Sequence, residues 1–380
     1  MRTTRTRAAA LAVSAVMGLT AVATAAPSSA DTGAKTSAAA SADAIFKSLP
    51  KNWKANRAAF VAKTGVEAGP VTRQILAQLA GKKCEATALD EYVNRITRGI
   101  PQDRLAVLAQ LGVFDYPTYD ALIYGERGNP DYALTPGTTG KVRQTAGTAR
   151  AFWDIKSGDI QVMGMDSEMV VDRDRVIRII QTLFGATPAQ AAEVADYVIA
   201  LVKDTAQLRG GDNPIFTLNA FAFTAEGQDG LEGISDRIIM GEGIIKALRD
   251  TGNIEVGPQM VFSHEFGHHI QFENDAYPAT TSPANTRRME LMADAYGTYL
   301  DVHNKGLNFN AQRTAGAVEV AHLVGDCQVT SDGHHGTPAQ RAAAATWGAN
   351  LAKKSGNTIL PSKKIEQMFL KALPQILAAG

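Results

Sequence analysis

The chain carries no net charge, because 38 basic and 38 acidic side chains cancel across its 380 residues. That balance removes the electrostatic footprint of a nucleic-acid binder, of a protein for anionic membrane surfaces and of one for strongly charged substrates. Histidine is missing from the first 263 residues, and all seven lie between His264 and His335. Metal and proton chemistry is therefore concentrated in the last third. Cysteine is scarcer still, with Cys84 and Cys327 the whole complement. Calcium-loop spacing is also missing, since Asp172-Arg173-Asp174-Arg175 lacks both the ligand interval and the glycine, and it reads as a solvated charged turn.

Long apolar runs are confined to the N-terminus. Arg2, Arg5 and Arg7 precede an Ala-rich stretch from Ala8 to Ala26, with Ala23-Thr24-Ala25 and Ser28-Ser29-Ala30 as small-residue, cleavage-like sites. A positive start, an apolar middle and a small-residue end predict a secretory signal peptide over 1–30, with an uncleaved anchor as the alternative. No lipobox cysteine is present there. After cleavage no membrane span is expected, and the mature chain is expected to be secreted. In an exported protein two cysteines permit one disulfide, Cys84 to Cys327, tying the N-terminal region to the segment after the histidine-rich helix. Two separate buried thiols are the alternative.

Residues 31–43 are small and polar and read as a linker. From 44 to 124, apolar residues at three- and four-residue spacing predict helices over Ala44–Leu49, Trp53–Ala62, Val71–Leu79, Ala88–Ile96 and Gln102–Leu111. This helical N-terminal region reads as a propeptide, a recognition domain or a packing extension of the C-terminal domain. Gly, Pro, Thr and Asn from Gly125 to Thr148 predict a boundary or long loop before that domain, which spans 150–380. Short strands are expected at Ala151–Ile155, Ile160–Met163, Ile215–Thr224 and Asp236–Gly241. Helices are expected at Arg173–Phe184, Ala189–Leu208 and Glu242–Leu248. The later strands are expected to form an edge that an extended peptide can join, with a buried central strand as the alternative.

The segment Val261-Phe262-Ser263-His264-Glu265-Phe266-Gly267-His268-His269-Ile270-Gln271 carries the most specific pattern. Histidines four apart on a helix differ by about 40° around its axis, so both rings reach one ion, with Glu265 beside that face. A catalytic zinc site needs three protein ligands, an open position and a base for water, and His264, His268 and Glu265 supply two ligands and the base. Roughly 0.005 chance matches are expected in a chain of this composition. Gly257-Pro258 suits the helix start. Gly267 inside the helix points to close backbone packing or substrate approach.

The third ligand is sought in Arg288-Met289-Glu290-Leu291-Met292-Ala293-Asp294, where Glu290 stands 22 residues beyond His268. Glu290 on a helix packed against the first completes a His-His-Glu set, and Asp294 one turn on accepts a ring N–H from a ligand histidine. A solvent-facing acidic stripe is the alternative, which the apolar neighbours Leu291, Met292 and Tyr296 disfavour. His269 reads as packing or support, and His303 and His322 read as structural. His334-His335-Gly336-Thr337-Pro338-Ala339-Gln340-Arg341 joins imidazoles and an arginine at a helix start. His335, with Arg341 in support, is the candidate oxyanion stabiliser, with a surface turn as the alternative.

The blocks His264 to Gln271, Glu290 to Asp294 and Asp332 to Arg341 resemble, in order, those of the bacterial neutral zinc metallopeptidases, which belong with the gluzincins. The resemblance spans roughly residues 236–348. Ala295 and Ala342 to Ala345 stand where that family usually carries a cysteine and aromatic residues. It implies an α+β zincin-like metallopeptidase domain, one Zn2+ per chain held by His264, His268 and Glu290, Glu265 as catalytic base, and His335 and Arg341 near the site. The expected partner is a protein or peptide substrate. The alternatives are a secreted zinc-binding protein without catalysis and a zinc hydrolase of non-peptide amides.

Overall fold

The computed structural model describes residues 42–64, 69, 72, 74, 75, 86–228, 230–278 and 282–379. The expected signal peptide, the linker up to residue 41, most of Val71–Leu79 and Cys84 lie outside the described residues. The fold is mostly helical with one small sheet, which places it in the α+β class.

The N-terminal region comprises helices over 42–48 (α1), Trp53–Thr64 (α2), Ala88–Thr97 (α3), Gln102–Leu111 (α4) and Tyr116–Tyr124 (α5). A capping box at Thr87 and Asp90 starts α3, and Gly112, with φ +73°, ends α4. These helices share one core with Arg173–Phe184 (α7) and Pro188–Lys203 (α8), the former with the bounds the periodicity predicts. The Trp53 ring meets Phe184 edge-on at 5.3 Å, and Asn56 Nδ2 donates to the Phe184 carbonyl at 2.7 Å.

The remainder has its own core. It is built from Thr139–Phe152 (α6), Glu242–Asp250 (α9), Gly257–Glu273 (α10), Pro283–Val302 (α11), Ala311–Leu323 (α12), Pro338–Ser355 (α13) and Ser362–Leu377 (α14). Ile365, Phe369 and Ile376 turn the inner face of α14 into this core. The sheet contains Gln161–Met165 (β1), Ala220–Phe223 (β2) and Arg237–Gly241 (β3) in the order β1-β3-β2, with β1 parallel and β2 antiparallel to β3.

Several expectations fail for identifiable reasons. The loop expected over 125–148 contains α6, because Val142, Thr145, Ala146, Ala149 and Phe152 form a buried face that outweighs its two glycines. The strand expected at Ala151–Ile155 is the end of that helix, and Trp153 caps it. The helix over Ala189–Leu208 stops at Lys203, and the strand over Ile215–Thr224 shrinks to Ala220–Phe223 after a 3-10 turn at Pro214–Thr217. The Asp172 to Arg175 stretch is solvated at Asp172, Arg173 and Asp174, but it opens a helix rather than forming a turn. Asp172 caps α7, and Arg175 is buried on Asp120 at 2.6 Å, with Arg178 on the other oxygen at 2.6 Å. Strand β3 is central and buried throughout, whereas β2 is an outer strand packed on α10.

The helices α10 and α11 cross at backbone contact. A Cβ at Gly267 would stand 3.0 Å from the Ala293 Cα, and one at Gly297 would stand 3.0 Å from the His264 nitrogen. Of the two roles open to Gly267, close helix packing is the one observed. At the far end of this crossing Ser263 Oγ donates to Asp301 Oδ1 at 2.7 Å, and no hydrogen bond satisfies the buried Oδ2.

Burial pushes the Asp301 carboxyl from its ordinary 3.8 up to about 7, against the opposing pull of Ser263 and Arg313. A raised folded pKa means that the native state holds the extra proton between those values, so stability falls as pH rises through them. Asp301→Asn should remove that slope, on the order of 4 kcal/mol in all, and raise the melting temperature above that of the wild type at about pH 8. Thermal unfolding from about pH 4 to 8 checks this, and parallel curves for the two proteins would refute it.

Candidate metal centre

Pro258 in the first turn opens α10, and its buried residues run from Gly257 to Gln271. Because the helix is enclosed on all sides, His264 and His268 point into the interior against α11. His264 Nε2 and His268 Nε2 lie 3.2 Å apart. Glu290 Oε2 is 3.4 Å from the first and Oε1 is 3.3 Å from the second. These donor atoms all lie within 4.8 Å of one another, and the three residues form a group able to hold a metal ion.

The tautomers follow from the partners. An ionised Asp294 can only accept, so His264 Nδ1 donates to its Oδ1 at 2.9 Å. Gln271 Nε2 donates to the Met289 carbonyl at 2.7 Å, which turns Gln271 Oε1 toward His268 Nδ1 at 2.9 Å. Tyr277 brings its hydroxyl within 3.1 Å of the same nitrogen. When both rings are neutral, each aims an Nε2 lone pair at the other, an arrangement that repels unless a proton or a metal ion lies between them. The carboxylates Glu290 and Asp294 share one enclosed guanidinium, Arg341, so the charge beside the two imidazoles is negative and is balanced by a proton on His264 or by a bound cation. A divalent metal ion is able to displace that proton and take over as the counter-charge. The residues present fit the ion.

Arg341 does not face outward as a donor. Its NH1 donates to Glu290 Oε2 at 3.0 Å and its NH2 to Asp294 Oδ1 at 2.9 Å. It therefore holds the third ligand and the carboxylate that orients the first. Burial opposes its charge, but Asp294 and Glu290 more than offset this and raise its pKa. Burial likewise opposes the charged form of Glu290, and His335 and His268 hold its carboxyl well below the usual range nonetheless.

Glu265 is 7% exposed and has no hydrogen-bond or ion-pair partner among the described residues. Burial pushes its carboxyl above the ordinary range, which His264 and His268 only partly counter. An unengaged carboxylate with an elevated pKa suits proton transfer near neutral pH. His335 comes from the segment before α13. Its Nδ1 donates to the Gly333 carbonyl at 2.7 Å, so Nε2 is the nitrogen turned to the centre, 3.8 Å from Glu290 Oε1.

Among the other histidines, His269 is fully enclosed and bonds the Arg237 carbonyl of β3 at 3.0 Å, a packing role. His303 ends α11 and bonds the Thr358 carbonyl at 3.2 Å. Cys327 is disulfide-bonded, while its expected partner Cys84 is outside the described residues. Sequence reasoning missed Gln271, Tyr277 and Asp326. Gln271 follows His268 by three residues, the helical spacing at which a side chain reaches back to it. Nothing in the local pattern points to the other two.

Without metal, burial works against a charged His264, yet bonds to Asp294 and Glu290 raise its pKa to about 10. At neutral pH a metal must therefore displace a proton there. Calorimetric titration with zinc in buffers of different ionisation heat should show about one proton released per ion. Asp294→Asn should weaken affinity about 10- to 100-fold and release fewer protons. Unchanged affinity in that variant would remove Asp294 from the centre. These features rest on the chain's own geometry, for it matches no family model, no curated protein and no solved structure.

Proposed function

We propose that this protein is a secreted zinc-dependent peptidase with a zincin-like catalytic half. One observation carries the reading: the donor atoms of His264, His268 and Glu290 converge within 4.8 Å beside a buried, unengaged Glu265 on the same helix. Two imidazoles and one carboxylate are the donor set of open zinc hydrolase sites. Bound zinc supplies Lewis acidity and lowers the pKa of water.

The chain's own residues divide the remaining work. Glu265 accepts a proton from water and passes it to the leaving amine, and its raised pKa brings it closer to both tasks. His335, in its protonated form, donates from Nε2 to the oxygen that gains charge at the scissile carbonyl. Arg341 fixes Glu290 and Asp294 and so acts on ligand placement rather than on substrate. The outer strand β2, packed on the motif helix, offers an extended peptide main-chain hydrogen bonds. The mixed sheet beside the motif helix and the downstream glutamate helix support the zincin-like assignment.

Glu265→Gln preserves size and removes the base. It should keep about one zinc per chain and lower kcat on casein by about 10²- to 10⁴-fold. Metal analysis and proteolysis assays run side by side decide the matter, and full turnover by that variant would eliminate the mechanism. Zinc without cleavage of any protein in the wild type would instead favour a non-catalytic zinc-binding protein, and hydrolysis of small amides alone would favour an amidase.

A further inference from the structure

The segment between α12 and α13 closes on itself. A Cβ at Gly325 would meet the Pro338 nitrogen at 2.4 Å, so the start of the segment lies against its end. Asp326 N–H donates to the Gly336 carbonyl at 2.9 Å and completes the closure. The Asp326 side chain then gathers what lies between. Its Oδ1 accepts from Gln328 N at 2.8 Å and from His334 Nδ1 at 2.6 Å. Its Oδ2 accepts from His335 N at 2.8 Å and stands 3.7 Å from His335 Nδ1. His334 is fully enclosed and forms a fixed anchor for this carboxylate. Cys327, the next residue, is disulfide-bonded, so the chain is held covalently beside Asp326.

We propose that Asp326 is the positioning residue that carries His335 to the metal centre. The ligands sit on helices and need no such device, whereas His335 sits on a loop whose place is set by side-chain contacts. One carboxylate fixes its backbone through N–H and faces its ring, and the Gly333 carbonyl fixes the ring tautomer. No hydrogen bond or ion pair joins Asp326 to a ligand atom among the described residues, so its direct contact with the centre runs through His335, beside a longer-range charge effect on Arg341. The catalytic consequence rests on the peptidase reading, but the placement itself does not.

The test compares wild type, Asp326→Asn, His335→Ala and the double variant. His334 and His335 donate to different oxygens of Asp326, and Asn replaces one of these with an NH2 that faces a donor, so Asp326→Asn should release the segment. All four proteins should keep about one zinc. Hydrogen exchange across 325–337 should accelerate in Asp326→Asn and stay unchanged in α10 and α11. On a peptide substrate, kcat should fall about 10- to 100-fold with KM within about twofold. Adding Asp326→Asn to His335→Ala should cost nothing further, because the two act as one unit. A multiplied loss in the double variant, or wild-type kcat despite a released segment, would overturn the proposal. Should Asp326→Asn fail to fold, Asp326→Glu keeps the charge while moving both oxygens, and full kcat with that variant would also count against it. If the wild type binds zinc but cleaves nothing, the peptidase reading fails by itself. Exchange rates and His335 ring nitrogen shifts then decide alone, and no change in either on Asp326→Asn overturns the placement.

Discussion

The close crossing of α10 and α11 is the constraint on which the site depends. Two helices whose backbones approach to contact need glycine at the crossing, and Gly267 and Gly297 each face the partner backbone at about 3 Å. A carboxylate is a short arm. Glu290 reaches two imidazoles only because the axes lie this near, and any larger side chain at the crossing would push the third ligand out of range. The same approach lets Asp294 meet His264 and lets the Gln271 amide reach the Met289 carbonyl. Ligand geometry is thus a property of helix packing rather than of loop conformation.

Close packing creates an electrostatic problem, which a third helix answers. Arg341 on α13 enters between Glu290 and Asp294 and is only 2% exposed. One guanidinium restrains two carboxylates through a planar fork, which a lysine could not do with the same geometry. It balances only one of the two carboxylates it touches, and the remaining negative charge suits the enclosed centre to a cation. Removing Arg341 would leave both carboxylates in place with less compensation and looser orientation. Its role in the fold and its role at the centre are therefore the same interaction.

Much of the centre was legible because helical periodicity turns sequence spacing directly into spatial proximity. His264, Glu265, His268, Glu290 and Asp294 all lie on two helices, and intervals of three or four residues fix their faces. Arg341 was legible as a neighbour of the site, but its two carboxylate partners were not, because they depend on how α13 packs. Asp326 was invisible for a related reason: a loop carboxylate has no period, and its partners eight and nine residues on are set by a chain reversal. The helix at Thr139–Phe152 was hidden by glycine and threonine, whose low propensity is overridden by burial of one face against the motif helix. Arg175 looked solvated because its partner Asp120 lies 55 residues away.

Two kinds of support meet at the centre, and they differ in stiffness. Helix-borne ligands move only if whole helices slide, which the backbone contact at Gly267 resists. His335 is held by hydrogen bonds to one carboxylate and one carbonyl, each worth about 1 kcal/mol net and somewhat more where charged. A site that must keep its metal through every turnover gains from rigid ligands. A donor that engages a substrate oxygen only as charge develops gains instead from a mounting that adjusts by fractions of an ångström. On the peptidase function we propose, ligands on crossed helices and His335 on a tethered loop give each role the support its chemistry requires.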